Sequence, residues 1–324
     1  MGLFNRGRKG EQDALQLPAK FELIRELGRG SNGVVYLARD SAARGAPQVA
    51  VKLIECNSAT NERKVTAILR EVFVHSAAKA AHIVPVLETF RTGTHVGIVM
   101  EYIQGGDLLE YINKRGPLPE NQARWVFQQL MYAVRYVHQK LESMHRDIKL
   151  DNIMVHDPSV DFPMIYLCDF SFAKAHGTPH GDTVSVVGSA DYFAPEILLR
   201  KAPDMRYDGM VADLFSCGVC LFVMIYGRYP KSVLRKRSED DVYQFGLDGI
   251  EMALPKRRHV GNDGSEVREV SAEALALMAG LMRPDPANRL RMEGVWADPW
   301  FRRDLPPGAE AAWRRREGGR GTGP

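Results

Sequence analysis

The 324-residue chain has few cysteines and no long apolar run. Four cysteines are too few for a disulfide framework, which favours a reducing compartment. Cys217 and Cys220 have the spacing of a redox or metal pair, but they lie in an apolar helical stretch without a second pair, so we interpret them as small buried residues. No apolar run approaches the ~20 residues of a membrane helix. We expect no membrane span, and a cytoplasmic location with the nucleus as a second candidate.

The chain also lacks a strong net charge. Its 43 Lys and Arg residues against 40 Asp and Glu residues give +3. Residues 1–20 carry +2 and residues 302–324 carry +3, which leaves the region between them near −2. Both ends are rich in Gly, Pro and Arg, and we predict that they are disordered basic tails. The Arg-rich run Arg314–Arg316 is interpreted as a solvated end, with an acidic partner or nucleic acid as the weaker alternative.

Between the tails, the apolar pattern changes near Gly105. Five short β-rich runs bounded by turn residues precede it, and they predict strands. The predicted strands are Phe21–Leu27, Val34–Leu37, Val49–Ile54, Val84–Phe90 and Val96–Tyr102. One helix is predicted over Asn61–Ala78, with apolar positions at helical spacing. Those positions are Val65, Ile68, Leu69, Val72 and Phe73.

Long helices with apolar periodicity follow, over Pro119–Leu141, Val211–Tyr226 and Ser271–Met282. The sequence therefore predicts an α+β fold with a small β-rich lobe and a larger helical lobe. A cleft between two lobes is a common place for a ligand site.

Two fragments of the helical part carry most of the chemistry. Met144–Val155 contains His-Arg-Asp followed by Asn152, and Leu167–Lys174 contains Asp-Phe-Ser beginning at Asp169. They provide two carboxylates and a carboxamide, the oxygen ligands that a hard cation such as Mg²⁺ prefers. Asp147 is the candidate acceptor of a hydroxyl proton.

Together these fragments resemble the protein-kinase superfamily, over about residues 21–301. H-R-D-x-x-x-x-N matches the catalytic loop of that family, and D-F-S is a variant of its D-F-G magnesium motif. Three further signatures appear in the expected order: the glycine-rich loop Leu27–Val35, the strand Val49–Lys52, and Ala194–Glu196. The resemblance implies a bilobal kinase fold with an N-lobe over residues 21–102 and a C-lobe over residues 107–301.

The resemblance also implies roles for individual residues. Asp147 would orient the acceptor hydroxyl, and Lys149 would lie beside the γ-phosphate, as in serine/threonine-specific relatives. Lys52 would hold the α- and β-phosphates of ATP, with Glu71 as its ion-pair partner. Asn152 and Asp169 would hold Mg²⁺. The implied nucleotide-binding residues are Leu27, Gly28, Gly30, Gly33, Val35, Ala50, Lys52, Met100, Glu101, Ile103, Asp107 and Met154.

The chain departs from the family pattern at two positions. Ser171 stands where the family has Gly, and Asn32 stands where relatives have an aromatic residue. These departures keep a second hypothesis open, a pseudokinase that serves as a scaffold or an ATP-binding module. Rossmann-type dinucleotide binding is a distant third, because a strand rather than a helix follows the glycines.

Regulation and partners follow from the same resemblance. Arg146 marks kinases that bind an activation-loop phosphate, and Ser185 and Thr183 are the candidate phosphosites for an upstream kinase. Protein substrates with Arg three residues before Ser or Thr are expected, recognised by Asp107 and Asp151. We expect a monomer.

Three further segments are similar to calmodulin-dependent and AMP-activated kinase-like proteins, especially the plant and algal stress-responsive branch. They are Tyr207–Asp213, Ser216–Val219, and Asp285–Arg289 followed by Pro299–Phe301. The resemblance also implies three structural contacts: Ser189 with Asp147 and Lys149, Glu196 with Arg289, and Asp213 with the catalytic-loop backbone.

Overall fold

The computed structural model describes residues 15–30, 33–175, 187–198, 206–230 and 270–304. The chain forms two compact units. The first unit comprises Met1–Lys79 and Val84–Ile103, and the second comprises Ala80–Ile83 and Gln104–Pro324. The short segment Ala80–Ile83 thus belongs to the second unit, although it lies within the stretch predicted as the first lobe.

The first unit contains a five-stranded antiparallel sheet in the order β1-β2-β3-β5-β4. All five predicted strands are present, and each is extended or shifted by a few residues. The strands are β1 (Phe21–Gly30), β2 (Gly33–Asp40), β3 (Gln48–Glu55), β4 (Val86–Arg91) and β5 (His95–Glu101).

The two faces of strand β3 have different environments, because successive side chains of a strand point to opposite faces. Val49, Val51 and Leu53 pack into an apolar core with Phe21 and Val99. The intervening residues of β3 therefore point to the opposite face of the sheet.

The first unit has one described long helix, α1 (Glu62–Ala77), which Asn61 caps by accepting a hydrogen bond from the Lys64 N–H at 2.9 Å. The predicted apolar stripe is wrong in part, because Leu69 is 61% exposed and Phe73 is 75% exposed. The buried positions are Ile68, Glu71, Val74 and His75. The buried face of the helix is therefore the one that carries these residues. On it, Glu71 forms an ion pair with a lysine of the sheet, and His75 Nε2 lies 2.9 Å from the Val84 carbonyl oxygen.

The second unit is mostly helical. Its helices are α2 (Leu108–Arg115), α3 (Glu120–Gln139), α4 (Pro195–Leu198), α5 (Gly209–Tyr226), α6 (Ala272–Leu281), α7 (Met292–Ala297) and α8 (Pro299–Arg302). The three long predicted helices correspond to α3, α5 and α6. Two short antiparallel pairs lie among them: β6 (Ser143–Met144) with β9 (Lys174–Ala175), and β7 (Ile153–Val155) with β8 (Ile165–Leu167).

Helix α5 lies in the core of the second unit. By length and composition alone, it is long and apolar enough to cross a membrane, although the sequence predicted no apolar run of that length. Because 89% of it is buried within the fold, we assign it as a core helix. Cys217 and Cys220 are fully buried in it, and burial raises the pKa of both thiols, so they are small neutral core residues as expected.

Candidate active site

In the first unit, the structure brings Lys52 and Glu71 together. Lys52 Nζ lies 2.6 Å from Glu71 Oε1, and both side chains are buried. Glu62, another glutamate of helix α1, is exposed at its first turn. A buried ammonium requires a partner that offsets its loss of hydration, and Glu71 provides it.

The predicted adenine-contacting residues of the sheet share the face that carries Lys52. Strand register places Val35 opposite Lys52, and Met100 opposite Ala50. Directly paired residues of antiparallel strands point to the same face. The apolar side chains of Val35, Ala50 and Met100 therefore lie on the same face of the sheet as Lys52. This face is opposite the one that packs into the core through Val49, Val51 and Leu53.

The three glycines of the predicted phosphate-binding loop differ in how closely other atoms of the protein approach them. Gly33 has φ +136°, and a Cβ there would lie 2.3 Å from the Leu53 carbonyl oxygen. Gly28 and Gly30 meet nothing within 4 Å. Packing within the protein thus explains Gly33, whereas the open space at Gly28 and Gly30 is compatible with a phosphate approaching the backbone. Asn32 lies outside the described residues.

In the second unit, Asp147 is buried and held on several sides. Asn152 Nδ2 donates to the Asp147 carbonyl oxygen at 2.8 Å and to Oδ2 at 2.9 Å. Lys149 Nζ lies 3.0 Å from Asp147 Oδ2, and it donates to Ser189 Oγ at 3.0 Å. Ser189 Oγ in turn donates to Asp147 Oδ1 at 3.3 Å. The predicted bridge through Ser189 is therefore present, and the carboxylate is fixed in one orientation.

Asp213 of helix α5 holds the backbone that leads to Asp147. Its carboxylate accepts hydrogen bonds from the N–H groups of His145 and Arg146, both at 2.8 Å. His138 Nε2 lies 2.9 Å from the same carboxylate. Arg146 has φ +66°, an uncommon backbone conformation for a residue other than glycine. The predicted contact of Asp213 with the catalytic-loop backbone is therefore present, and it supports the strained Arg146. The contribution of His138 was not predicted, because no local pattern indicates it.

Gly188 lies against the catalytic loop in a conformation that favours glycine. It has φ +112°, and a Cβ there would lie 2.6 Å from the Arg146 carbonyl oxygen and 3.2 Å from Asp147 Oδ1. Only glycine therefore allows this backbone to lie against the catalytic loop.

Asn152 and Asp169 lie near one end of the β7–β8 pair. The register pairs Ile153 with Leu167, and the Cys168 N–H donates to the Asn152 carbonyl oxygen at 2.9 Å. Asp169 has φ +63°, and its Oδ1 accepts hydrogen bonds from the Ser171 N–H and hydroxyl.

These two residues fit a magnesium ion. Since both contacts of the Asn152 NH₂ group go to Asp147, the oxygen of that carboxamide is the atom suited to a cation. Within the described residues there is no cluster of three or more His, Cys, Asp or Glu side chains that would hold a metal. Mg²⁺ typically uses one or two carboxylates together with water and substrate phosphates, so a sparse oxygen site matches its preference.

Comparison with known proteins decides the family. Residues 21–301 match the protein kinase domain. This chain belongs to the protein kinase family. The predicted bilobal α+β kinase fold is thereby confirmed.

Curated serine/threonine-protein kinases of plants are similar to this kinase along most of its length. SAPK9 of Oryza sativa subsp. japonica is 34% identical over 292 residues, which are 89% of this chain and 73% of the relative. SRK2E of Arabidopsis thaliana is 34% identical over 287 residues, with the same two shares. SAPK1 of Oryza sativa subsp. japonica is 36% identical, covering 89% and 77%. The predicted relation to plant stress kinases is confirmed.

The kinase contains the predicted anchor between Glu196 and Arg289. Arg289 donates to both carboxylate oxygens of Glu196, at 2.6 and 2.7 Å. Arg289 also donates to the Val211 carbonyl oxygen at 3.1 Å. The ion pair therefore joins the start of α4 to α5 and to the segment that precedes α7.

Asp107 of the kinase has a structural task as well as a predicted binding role. Its Oδ1 caps helix α2 by accepting from the Glu110 N–H at 2.7 Å. Burial raises the pKa of Asp107, and the nearby charge of Asp151 raises it further. The negative charge of Asp151 therefore acts on the Asp107 carboxylate.

The remaining predicted residues fall into three groups. Ile103 is buried in the first unit, while Leu27 and Glu101 of that unit are half-buried. Met154 of β7 is half-buried in the second unit. Ser185 and Thr183, the candidate phosphosites, lie outside the described residues.

Proposed function

We propose that the kinase transfers the γ-phosphate of ATP to serine and threonine hydroxyls of protein substrates, with Asp147 orienting the acceptor. The observation that carries this proposal is the closed set of contacts among Asp147, Lys149 and Ser189. A carboxylate held in one orientation is suited to accept a proton from a hydroxyl placed beside it. The names of the plant relatives, all serine/threonine-protein kinases, support the choice of acceptor.

Each charged residue has a task in this proposal. The Asp147 carboxylate positions the acceptor hydroxyl and takes its proton, while the Lys149 ammonium lies beside it and stabilises negative charge on the transferring phosphoryl group. Lys52 binds the α- and β-phosphates, and Glu71 fixes the direction of its ammonium. Asn152 and Asp169 would hold Mg²⁺, which neutralises phosphate charge when bound. The presence of all of these residues argues against the scaffold alternative, despite the departures at Ser171 and Asn32.

The acidic pair Asp107 and Asp151 supports a preference for substrates with Arg three residues before the acceptor. Asp151 is exposed, and Asp107 is half-buried at the start of α2. An arginine guanidinium forms charge-assisted hydrogen bonds with two carboxylates at once. It would also relieve the repulsion between these two like charges.

Phosphorylation of the segment before Gly188 is the proposed mode of control. Arg146 Nε donates to the Phe172 carbonyl oxygen at 2.7 Å. Strand pairing places Lys174 opposite Met144, two residues before Arg146. A phosphate on Ser185 or Thr183 would add charge-assisted bonds to these two cations. We further propose that the kinase is a monomer, that it is located in the cytoplasm and the nucleus, and that an upstream kinase activates it.

A radiolabelled-ATP assay on the full chain tests the proposed transfer. Asp147→Asn keeps the size of the side chain but removes the proton acceptor, and we expect phosphate transfer to fall by about 100-fold or more. Three matched peptides that differ only in carrying Ser, Thr or Tyr at the acceptor position test the choice of acceptor. The Tyr peptide should not be labelled. The matched control is Asp157→Asn, an exposed carboxylate of the same unit, which should retain full activity. Undiminished transfer by Asp147→Asn, or preferential labelling of tyrosine, would contradict the proposal.

A further inference from the structure

Ser171 lies against the proposed metal ligand Asp169, at the position where the family motif has glycine. The Ser171 N–H donates to Asp169 Oδ1 at 3.2 Å, and the Ser171 hydroxyl donates to the same oxygen. A glycine at this position would retain the backbone donor but would lose the hydroxyl donor. The serine thus adds a contact that the common motif cannot make.

The same arrangement occurs elsewhere in the second unit, away from the proposed chemistry. Ser159 donates to Asp157 Oδ1 through its N–H at 2.9 Å and through its hydroxyl at 2.6 Å. Asp157 and Ser159 are both exposed and have the same i, i+2 spacing as Asp169 and Ser171. Asp-x-Ser is therefore a local motif in which the serine fixes one carboxylate oxygen of the preceding aspartate.

At Asp169 this motif acts on a strained residue. Asp169 has φ +63°, which is uncommon outside glycine, so its backbone needs support from neighbouring contacts. Two donors on Oδ1 restrain rotation of the carboxylate. Hydrogen bonds to a carboxylate ligand orient it towards the metal, and their loss typically weakens metal binding.

We propose that Ser171 is a positioning residue for divalent metal: its hydroxyl holds the Asp169 carboxylate in the orientation that binds Mg²⁺. This inference rests on the proposed function, in which Asp169 is a metal ligand. Ser171 therefore replaces the backbone freedom of the usual glycine with a fixed, preorganised ligand.

Metal binding by the full-length protein tests this directly, without reliance on turnover. Mn²⁺ is titrated in the presence of ADP, and free Mn²⁺ is measured by electron paramagnetic resonance. Ser171→Ala removes the hydroxyl alone, and we expect the affinity for Mn²⁺ to fall about 10-fold. Ser171→Gly should weaken binding to a similar extent, and Ser171→Thr, which retains the hydroxyl, should restore most of it. Ser159→Ala is the matched control and should bind as the wild type does.

Wild-type affinity in Ser171→Ala would overturn the inference, because it would show that the hydroxyl is not needed. If Ser171→Gly still binds Mn²⁺ more weakly in that case, the effect belongs to the backbone freedom of glycine. Asp169→Asn separates this outcome from failure of the proposed function. If Asp169→Asn loses ADP-dependent Mn²⁺ binding while Ser171→Ala does not, only the role of Ser171 fails. If Asp169→Asn binds Mn²⁺ normally, the metal assignment itself fails, and the inference fails with it.

Discussion

At the scale of single residues, three buried charged side chains of the candidate site have partners of opposite charge. Asp147, Lys52 and Glu71 are each less than 8% exposed, and each has an ion-pair partner within 3.0 Å. An unpaired charge in such positions would destabilise the fold by several kcal/mol. The contacts that offset the free-energy cost of burying these charges also fix the orientation of the side chains.

Substrate choice at Asp107 should depend on pH. Its raised pKa means that Asp107 takes up a proton at a higher pH than an ordinary aspartate, and the protonated form no longer attracts Arg. We expect the kcat/KM ratio of a peptide with Arg three residues before the acceptor to one with Ala there to be highest at neutral pH. The ratio should fall as the pH decreases through the raised pKa.

The matched variant for this prediction is Asp107→Asn, because Asn also caps a helix well and so preserves the start of α2. The variant should show a lower ratio that no longer depends on protonation of residue 107. Measurement of both peptides from about pH 4 to 8 checks the sign. A ratio that is constant with pH in the wild type would contradict the assignment of Asp107.

At the scale of secondary-structure elements, helix α5 organises the second unit. Asp208 caps it by accepting from the Met210 and Val211 N–H groups, and Gly227 ends it with a left-handed conformation. Asp213 extends from its first turns to the catalytic loop, and the Val211 carbonyl oxygen accepts from Arg289. Because so many functional contacts converge on one buried helix, small shifts of α5 should affect the site.

The Glu196–Arg289 ion pair should contribute strongly to stability. Glu196→Gln leaves the buried Arg289 guanidinium without its counter-charge, and we expect the free energy of unfolding to fall by about 3 kcal/mol. The exposed pair Arg291–Asp208, 3.5 Å apart, provides the contrast. Arg291→Ala should change stability by less than about 1 kcal/mol. Urea denaturation of both variants checks the prediction, and equal losses would contradict it.

At the scale of the whole molecule, the proposed control by phosphorylation joins segments that are distant in sequence. Arg146 and Lys174 lie 28 positions apart, and antiparallel pairing of β6 with β9 brings their segments together. Under the proposed control, these two cations would bind the phosphate together. Such a site would lie next to the catalytic loop, so phosphorylation of the segment before Gly188 would affect activity.

We therefore predict that the variant carrying both Ser185→Ala and Thr183→Ala has about tenfold lower activity than the wild type, the equivalent of one charge-assisted hydrogen bond. Phosphatase treatment should lower wild-type activity to a similar level and leave the double variant unchanged. Arg146→Ala should abolish the difference between treated and untreated protein. If the double variant retains full activity, control through these hydroxyls is excluded.

Sequence alone was sufficient to predict several contacts at the site. The resemblance to protein kinases implied the Lys52–Glu71 pair and the bridge from Ser189 to Asp147 and Lys149, and the structure contains both. Such predictions succeed because the chemistry requires given residue types at given positions along the chain. The exposed side of α1 was predicted wrongly, since the spacing of Leu69 and Phe73 indicates an apolar stripe but not whether anything covers it.

The sequence by itself determined the fold class, the family and the residues suited to phosphate transfer, because motif order and hydrophobic periodicity are properties of the chain. Only the tertiary structure decided where those side chains point. The approach of Gly188 to the Arg146 carbonyl oxygen, the contact of His138 with Asp213, and the hydroxyl of Ser171 on Asp169 are all of this kind. Each depends on the conformation of a backbone or on the packing of separate elements, which no local pattern specifies.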